Sequence, residues 1–348
     1  MITDCSFVYF DEMEIYNGIY TQNNGKKSIL EVFYKIDTPF IMESHSANWL
    51  ADRQGNGSSQ FPDVSNKEAR NLVKDAPKFE FETTASSAFI EELLINDLKR
   101  TGDISFVTKV PTLYRNAHPE CNLANASFLI PPNSSFLLGD VSAINCLMKK
   151  NGMNYFDFII IDPPWQNRTV KRQRTYELLS TSSAAPSFFS NKLSVGTIQH
   201  LPIPIILTPN GLLCLWVTNS QTVFQIAYNL LQHWGLKLIA RWHWLKICKS
   251  GEPVCEFRTF HKLPFETFLL ACRPEAIDEF KSIRDNFCII SVPNASPSRK
   301  PPVSILLEKL GHVKVQNGLE LFGRYLLPKF TTIGHEAIKF QHIYYFSE

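Results

Sequence analysis

The chain has 348 residues, which allows one large domain or a catalytic domain with a smaller companion. Its hydrophobic share of 44% and charged share of 20% are those of an ordinary globular protein. A net charge of +2 is nearly neutral, so any attraction for nucleic acid must come from a local patch. The eight cysteines include no Cys-x-x-Cys pair, so we expect buried reduced thiols rather than a disulfide framework or a zinc site.

We expect neither a secretory nor a membrane segment. The N-terminus carries Asp4, Asp11, Glu12 and Glu14 and lacks the basic head and apolar core of a signal peptide. No apolar run approaches the roughly 18 residues that a membrane span needs. We therefore expect a soluble intracellular protein without membrane association.

The first third of the chain carries no catalytic motif. Residues 7–10 and 29–34 mix aromatic and β-branched side chains, which predicts short strands. Residues 44–66 are polar and contain glycine, which is typical of a flexible loop or linker. Helical spacing of apolar residues predicts a helix over 87–100. We assign residues 1–125 to a smaller mixed α+β accessory region, which could brace a catalytic domain or extend a substrate surface.

Beyond Ile130, strand and helix patterns alternate, as they do in a parallel α/β sheet. Strands are predicted at residues 135–138, 156–161, 212–217, 237–244, 267–272, 288–292 and 319–322. Helices are predicted after Asn219 and after Pro302, and each ends at a glycine, Gly235 or Gly311. The pattern predicts an α/β domain over residues 126–348 with helices on both faces of its sheet.

The most informative segment is an unbroken apolar run, residues 158–161, followed by Asp162, Pro163, Pro164 and Trp165. The run suits a strand that is buried on both faces, and the prolines force the chain out of the sheet. Ligands of open α/β sheets bind just beyond the carboxyl ends of strands, where Asp162 would lie. A carboxylate, stiffly held proline carbonyls and an indole plane suit a planar group that bears an NH2. A plain proline-rich turn is the structural alternative.

Asp162-Pro163-Pro164-Trp165 after an apolar strand resembles the signature of the adenine-N6 methyltransferases, the family that includes the catalytic subunit of the mRNA adenosine methyltransferase complex. Further matches follow in the family's order and span residues 130–348. They are Leu138-Gly139-Asp140-Val141, Leu215-Trp216-Val217-Thr218, Trp242-His243-Trp244-Leu245-Lys246, Arg299-Lys300-Pro301-Pro302 and Glu320-Leu321-Phe322-Gly323-Arg324. The stretches 170–172 and 338–342 look closest to the methyltransferase-like-four branch.

The resemblance implies S-adenosyl-L-methionine as the methyl donor, S-adenosyl-L-homocysteine as the product, no metal, and a permuted Rossmann-like sheet. A permuted order agrees with the absence of an N-terminal Gly-x-Gly-x-x-Gly motif. In the family's pattern, Glu320 would accept from ribose hydroxyls, and Arg324 would donate to ribose or methionine oxygens. Lys300 would meet the methionine carboxylate, and Asp162 would adjoin the donor. An ion pair between Glu320 and Arg324, and a solvated Lys300, are the structural alternatives.

Four further residues are candidates for donor binding. Asp140 could accept from the donor's adenine amine while the amide of Val141 reads a ring nitrogen. Alternatively, Asp140 caps a helix that begins at Val141. His335 and Glu336 stand where the family has Asn followed by Gln or Glu. Histidine has a different reach from asparagine, so the departure leaves the contact of His335 with the donor open.

A basic run follows the tetrapeptide and precedes a tyrosine. It consists of Arg168, Lys171, Arg172 and Arg174, with Tyr176 after it. Cations for phosphates and a ring for base stacking are what a single-stranded nucleic acid needs. Tyr176 matches a family position proposed to contact the target base. Trp244 is a second candidate wall for the substrate, although paired tryptophans on a strand are more often core. A solvated loop is the alternative for the run.

Together these features predict methyl transfer to the exocyclic N6 amine of adenosine in RNA, with Asp162 and the Pro163 carbonyl accepting from the amine. The resemblance to the methyltransferase-like-four branch implies internal 2′-O-methyladenosine of the small nuclear RNA U2 as the substrate. It also implies a location in the nucleus, with the cytosol as a second location. DNA adenine, protein amides and a non-catalytic nucleic-acid-binding role are the alternatives. The sequence indicates no obligate protein partner.

Overall fold

The computed structural model describes residues 7–21, 28–37, 113–115, 120–123, 126–145, 155–165, 198–255, 257, 263–295 and 299–346. The expected linker at 44–66 and helix at 87–100 lie outside these residues. So do the substrate-binding candidates Arg168, Lys171, Arg172, Arg174 and Tyr176. The expectations for these segments stay predictions.

The described residues form one large sheet, a separate two-stranded ribbon and four α-helices. The strands are β1 (Phe7–Tyr9), β2 (Leu113–Arg115), β3 (Glu120–Leu123), β4 (Ala126–Leu129), β5 (Ser135–Leu138), β6 (Phe156–Ile161), β7 (Leu207–Val217), β8 (Lys237–Lys246), β9 (Phe265–Cys272), β10 (Phe287–Ser291), β11 (Gly318–Leu321) and β12 (Phe330–Gly334). The helices are α1 (Glu12–Thr21), α2 (Ile203–Ile206), α3 (Gln221–His233) and α4 (Val303–Lys309). β3 and β4 form the ribbon.

The other ten strands lie in the order β1-β10-β8-β9-β7-β6-β11-β12-β5-β2. β9 runs antiparallel to β7 and β8, and β2 runs antiparallel to β5, whereas every other neighbouring pair is parallel. The carboxyl ends of the eight parallel-running strands therefore share one edge of the sheet. The predicted parallel α/β sheet is confirmed for these eight strands, whereas the antiparallel direction of β9 and β2 was not predicted.

Helices cover both faces of this sheet, as predicted. Phe158 and Ile160 of β6 pack on one face together with apolar residues of α1 and α4. Ile159 and Ile161 pack on the other face with residues of α3. Each fully buried side chain of this kind stabilises the fold by about 1.5–3 kcal/mol, which explains why β6 is apolar throughout its second half.

Helix α3 buries Val223, Ala227, Leu230 and Leu231, whose spacing predicts a single apolar face. It ends where predicted, because Gly235 adopts a φ of 66°, a left-handed conformation that favours glycine. Helix α4 begins directly after Pro302 and ends before Gly311, also as predicted. The local start and stop signals are thus sufficient to predict where these two helices begin and end.

The N-terminal segment differs in part from the strand prediction. β1 is a strand and pairs in parallel with β10 at the edge of the main sheet. The strand predicted at 29–34 is wrong, because Glu31–Tyr34 forms a 3-10 helix and Ile29 makes only an isolated bridge to Phe346. Helix α1 and strand β12 are additional to the predicted elements. The domain division at residue 125 stays a prediction, although β1, α1 and β2 all join the main sheet or its core.

Candidate active site

The two central strands of the sheet, β6 and β11, lie at a point where the chain changes direction. From β6 the chain passes to β7 on one side, whereas from β11 it passes to β12 on the other side. Connections that leave neighbouring strands in opposite directions open a crevice at the carboxyl edge, where α/β sheets bind ligands. Asp162 follows β6 directly, and its N–H donates to the carbonyl of Leu321 at 3.3 Å. Arg324 follows β11 at the same edge.

The loop from Asp162 to Trp165 is held by two short hydrogen bonds. The N–H of Trp165 donates to the carbonyl of Pro163 at 2.7 Å, and its indole N–H donates to the carbonyl of Trp216 at 2.7 Å. Trp165 is only 4% exposed and anchors the loop that presents Asp162. Contact of its ring with a flat ligand stays a prediction. The Pro163 carbonyl keeps a second lone pair for another donor.

Charged side chains of alternating sign cross this edge of the sheet. In order they are Lys246, Glu266, Lys300, Asp162, Arg324, Glu336 and Lys339. Glu266 forms hydrogen-bonded ion pairs with both Lys246 and Lys300. The Nζ atom of Lys300 also lies 3.6 Å from Oδ1 of Asp162 and 4.7 Å from the ring centre of Trp216. Lys300 is therefore engaged in the site, which contradicts the alternative of a solvated lysine.

The series of charged side chains continues from the second oxygen of Asp162 through Arg324 to Glu336 and Lys339. The Nη1 atom of Arg324 lies 3.6 Å from Oδ2 of Asp162, and its Nε donates to Glu336 at 3.2 Å. Glu336 in turn accepts from Lys339 at 2.7 Å. Each oxygen of Asp162 thus faces one cation, which fixes the orientation of the carboxylate.

The pKa values at this edge follow from burial opposed by ion pairing. Burial raises the pKa of Asp162 above its usual value, while the charges of Lys300 and Arg324 oppose the rise. Burial acts to lower the pKa of Lys300, but Asp162 and Glu266 outweigh it and raise that pKa. Burial would raise the pKa of Glu266 as well, yet Lys246 and Lys300 hold it well below its usual value. The cations favour the charged form of both carboxylates.

Glu320, the third residue of β11, carries a buried oxygen that has no partner. The residue is 3% exposed, and its Oε2 has no hydrogen-bond donor among the described residues. Burial and then the charge of Asp162 raise the pKa of Glu320 to about 8, against the opposing effect of Arg324. The predicted alternative, an isolated ion pair between Glu320 and Arg324, does not account for Arg324, which binds Asp162 and Glu336.

The turn after β11 passes close over Glu320 because it contains a glycine. A Cβ atom on Gly323 would lie 2.4 Å from Cγ2 of Thr332 and 3.0 Å from Cδ of Glu320. A Cβ on Gly334 would lie 3.0 Å from the carbonyl oxygen of Gly323. The backbone is therefore packed tightly around a carboxylate whose Oε2 lacks a donor among the described residues. This arrangement fits a ligand with hydroxyl donors, such as a ribose.

Asp140 follows β5 at the same edge and caps a helix. Its Oδ1 accepts from the N–H of Ser142 at 2.8 Å, at the start of the 3-10 helix Val141–Ala143. The helix-cap alternative is therefore confirmed, and Val141 is buried. The cap uses one oxygen of Asp140, so contact of Asp140 and Val141 with the donor's adenine stays a prediction.

The loops after β5 and β12 are joined by a hydrogen bond from the N–H of Gly139 to the carbonyl of Gly334, at 3.2 Å. His335 comes next and is exposed, and Glu336 binds Arg324 and Lys339. The structure therefore brings both residues to the carboxyl edge. Their contact with a donor molecule stays a prediction.

Trp244 belongs to the core. It is 1% exposed, its indole N–H donates to Oγ of Ser291 at 2.8 Å, and the Nζ of Lys246 lies 4.4 Å from its ring centre. This burial favours the core alternative for Trp244, and its contact with a substrate stays a prediction. Its ring lies beneath Lys246, at one end of the series of charged side chains.

Sequence reasoning does not single out Glu266, although this residue links two lysines of the site. Glu266 is the second residue of β9 and pairs with Trp244 of β8. Because β9 runs antiparallel to its neighbours, its beginning meets their carboxyl ends. Only the strand order reveals this placement. The available signal is an acid within the apolar stretch Phe265–Cys272.

The described residues contain no group of three or more His, Cys, Asp or Glu side chains arranged to hold a metal ion. None of their helices combines the length and apolarity needed to cross a membrane. Cys214, Cys248, Cys255, Cys272 and Cys288 are buried free thiols.

The MT-A70 family model matches residues 156–336, just over half of the chain. The chain belongs to the MT-A70 family. The matched range begins with β6 and ends at Glu336, so it contains Asp162, Lys300, Glu320 and Arg324. The resemblance to the adenine-N6 methyltransferases is confirmed.

Individual relatives agree with this assignment. The chain is 39% identical over 234 residues to the human N(6)-adenine-specific methyltransferase METTL4, an alignment that covers 64% of this chain and 46% of that protein. It is 34% identical over 227 residues to a DNA N6-methyl methyltransferase of Caenorhabditis elegans, covering 65% and 57%. It is 30% identical over 243 residues to the N6-methyladenosine RNA methyltransferase MTA1 of Pyricularia oryzae, covering 66% and 61%. The aligned region spans about half of the length of these relatives.

Proposed function

We propose that this protein transfers a methyl group from S-adenosylmethionine to the N6 amine of adenosine in RNA. The observation that carries the proposal is that two carboxylates lie at the β6–β11 crevice, Asp162 directly after β6 and Glu320 on the neighbouring strand β11. One carboxylate is oriented by two cations, and the other holds a buried oxygen without a donor. The names of the aligned relatives support adenine-N6 methylation as the reaction.

The residues around Glu320 suit the methyl donor. When bound, S-adenosylmethionine supplies a methyl group on a positively charged sulfur. Glu320 would accept from the ribose hydroxyls through its unpartnered Oε2, and Arg324 would donate to ribose or methionine oxygens. Lys300 would share its ammonium between Asp162, Glu266 and the methionine carboxylate. Asp140, Val141, His335 and Glu336 complete the proposed donor set.

The loop around Asp162 suits the target amine. An adenine amine is a poor nucleophile because its lone pair is delocalised into the ring. Acceptance of its two N–H groups by Asp162 and by the free lone pair of the Pro163 carbonyl would favour pyramidal nitrogen. The same acceptors would stabilise the positive charge that develops on nitrogen. Trp165 would keep the loop rigid, so the acceptors are in place before the substrate arrives.

Several features make RNA the favoured substrate. The resemblance to the methyltransferase-like-four branch supports internal 2′-O-methyladenosine of U2 small nuclear RNA as the target and the nucleus as the location. A buried acceptor pair needs an unstacked base, which favours single-stranded or looped substrate. The basic run with Arg168, Lys171, Arg172 and Arg174 would hold phosphates, and Tyr176 would stack on the base.

DNA adenine is the second candidate substrate, because one aligned relative is named a DNA N6-methyl methyltransferase. Tritiated methyl transfer to matched RNA and DNA oligonucleotides, followed by nucleoside mass spectrometry, distinguishes the two. We expect label in N6-methylated adenosine of RNA, with more label when the target carries a 2′-O-methyl group. Preferential labelling of the DNA oligonucleotide would reverse the assignment, and labelling of neither would remove both.

A further inference from the structure

Helix α1 reaches the active site through one tyrosine. The hydroxyl of Tyr16 donates to the backbone carbonyl of Lys300 at 2.8 Å. The ring of the same residue lies 4.3 Å from the guanidinium carbon of Arg299, measured to the ring centre. Tyr16 is fully buried. One side chain of the N-terminal segment therefore holds both residues of the Arg299-Lys300 pair.

The backbone of Lys300 needs such a contact because no regular element fixes it. Lys300 lies outside any strand or helix, and Pro301 and Pro302, which follow it, have no N–H to donate. Side chains therefore add to the backbone bonds that the Pro301 and Pro302 carbonyls accept. The hydroxyl of Tyr16 binds the carbonyl of Lys300, and the hydroxyl of Tyr325 lies 3.4 Å from the carbonyl of Pro301.

The ring of Tyr16 helps to hold the buried guanidinium of Arg299. Arg299 is 2% exposed, and aromatic rings surround its guanidinium. The ring centres of Tyr325 and Phe340 lie 5.5 Å and 5.4 Å from its central carbon, in addition to that of Tyr16. Cation–π attraction holds a buried guanidinium in such a setting, so loss of the Tyr16 ring would disturb the fold. Phenylalanine at this position keeps the ring and removes only the hydroxyl.

A second contact of α1 leads to the other lysine that binds Glu266. Glu12, the first residue of α1, accepts a hydrogen bond from Oγ of Ser291. Ser291 accepts from the indole of Trp244, whose ring lies beneath Lys246. Helix α1 is thus linked to both lysines that flank Glu266. It binds the backbone of Lys300 directly and reaches Lys246 through Ser291 and Trp244.

We propose that Tyr16 is a positioning residue for Lys300. Its hydroxyl fixes the Lys300 backbone so that the ammonium group meets Asp162 and Glu266. The inference deepens the proposed function, since the consequence for donor binding rests on the role of Lys300 there. It gives the N-terminal segment a part in assembling the active site.

The test compares Tyr16→Phe with Tyr20→Phe in the full chain. Tyr20 lies one turn further along α1, is also buried, and donates its hydroxyl to Oε1 of Gln341 at 3.1 Å. Both variants lose one buried hydroxyl bond, but only the first loses the bond to Lys300. Two quantities are measured. One is the affinity for S-adenosylhomocysteine, by calorimetry, and the other is the rate at which an amine-reactive reagent labels the side chain of Lys300. Peptide mass spectrometry reads the labelling relative to the exposed Lys237.

We expect Tyr16→Phe to weaken S-adenosylhomocysteine binding by about threefold to tenfold and to speed labelling of Lys300. Tyr20→Phe should change neither quantity. Equal effects of the two variants, or unchanged Lys300 labelling in Tyr16→Phe, would overturn the positioning role. If the wild-type protein binds no S-adenosylhomocysteine, the proposed function fails, whereas the labelling rates still decide the role of Tyr16.

Discussion

The ammonium nitrogen of Lys300 lies 3.6 Å from Oδ1 of Asp162, with both side chains largely buried at the carboxyl edge of the sheet. Arg324 faces the second oxygen of the same carboxylate. Removing one partner of a buried ion pair leaves an uncompensated charge, so the consequences should extend beyond a lost contact. The site therefore responds to changes at Lys300 in its pH dependence as well as in ligand affinity.

Lys300→Ala should move the acid limb of kcat/KM to higher pH. Lys300 opposes the rise that burial causes in the pKa of Asp162, so without it this pKa rises further and the carboxylate is charged only at higher pH. Donor affinity should fall, while RNA affinity stays nearly unchanged. A pH–rate profile and a calorimetric titration measure the two effects.

The matched control for this variant is Lys329→Ala. Lys329 pairs with Glu308 at 3.8 Å and donates to the carbonyl of Val315, at the opposite edge of the sheet. Its loss should leave both the acid limb and donor affinity unchanged. An acid limb that stays in place in Lys300→Ala would show that Lys300 does not tune Asp162.

Glu320→Gln should remove a pH dependence of stability. The pKa of Glu320 is raised to about 8 in the folded protein, so its contribution is fully present below about pH 4.5 and is lost as pH rises towards 8. Relative to the wild type, the variant should gain free energy of unfolding between pH 5 and pH 8, by at most about 5 kcal/mol. Denaturant titrations at the two pH values measure this gain, and a constant difference would contradict the burial argument.

Gly323→Ala should destabilise the protein, because its Cβ would lie 2.4 Å from Cγ2 of Thr332. Overpacking of this kind costs about 1–3 kcal/mol. Gly18→Ala is the control, since no atom lies within 4 Å of a Cβ there and alanine favours the helix. Thermal unfolding should show a lower Tm for the first variant only. Equal melting temperatures would mean that the β11 turn can relax.

Replacing Lys171 and Arg172 together by alanine should flatten the salt dependence of RNA binding. Phosphate contacts give a log–log slope of about −0.7 each on single strands, so two lost contacts change the slope by roughly one to one and a half. Tyr176→Ala should instead lower turnover, through loss of about 1–3 kcal/mol of stacking, with little change in slope. Affinity measured across a salt series tests both slopes, with exposed Lys309→Ala as the control, and a methyl-transfer rate tests the turnover of Tyr176→Ala. An unchanged slope in the double variant would make the run a solvated surface.

The sequence alone is sufficient to predict the elements whose start and stop signals are local. β6 has the predicted bounds because an apolar run and two prolines define both ends, and α3 and α4 follow from their spacing and their terminal glycines. Helix α1 could have been found from Ile15, Tyr16, Ile19 and Tyr20, which recur at helical spacing. Their aromatic and β-branched character favours a strand when the spacing is ignored.

The parts of the site that local signals do not reveal depend on topology. Glu266 meets Lys246 and Lys300 because β9 is inserted antiparallel between β7 and β8. The bond from Tyr16 to Lys300 joins residues 284 positions apart. Neither contact follows from the residue types, because each arises from the order in which the strands and α1 assemble.

Transfer of a deuterated methyl group to a defined RNA oligonucleotide tests the central claim most directly. Wild-type protein should place the label on N6 of adenosine, as nucleoside mass spectrometry reads it. Asp162→Asn should keep the fold by circular dichroism and lose about a hundredfold or more in rate, the scale for removing one preorganised electrostatic partner. Label on another atom, or a rate for Asp162→Asn close to that of the wild type, would contradict the account.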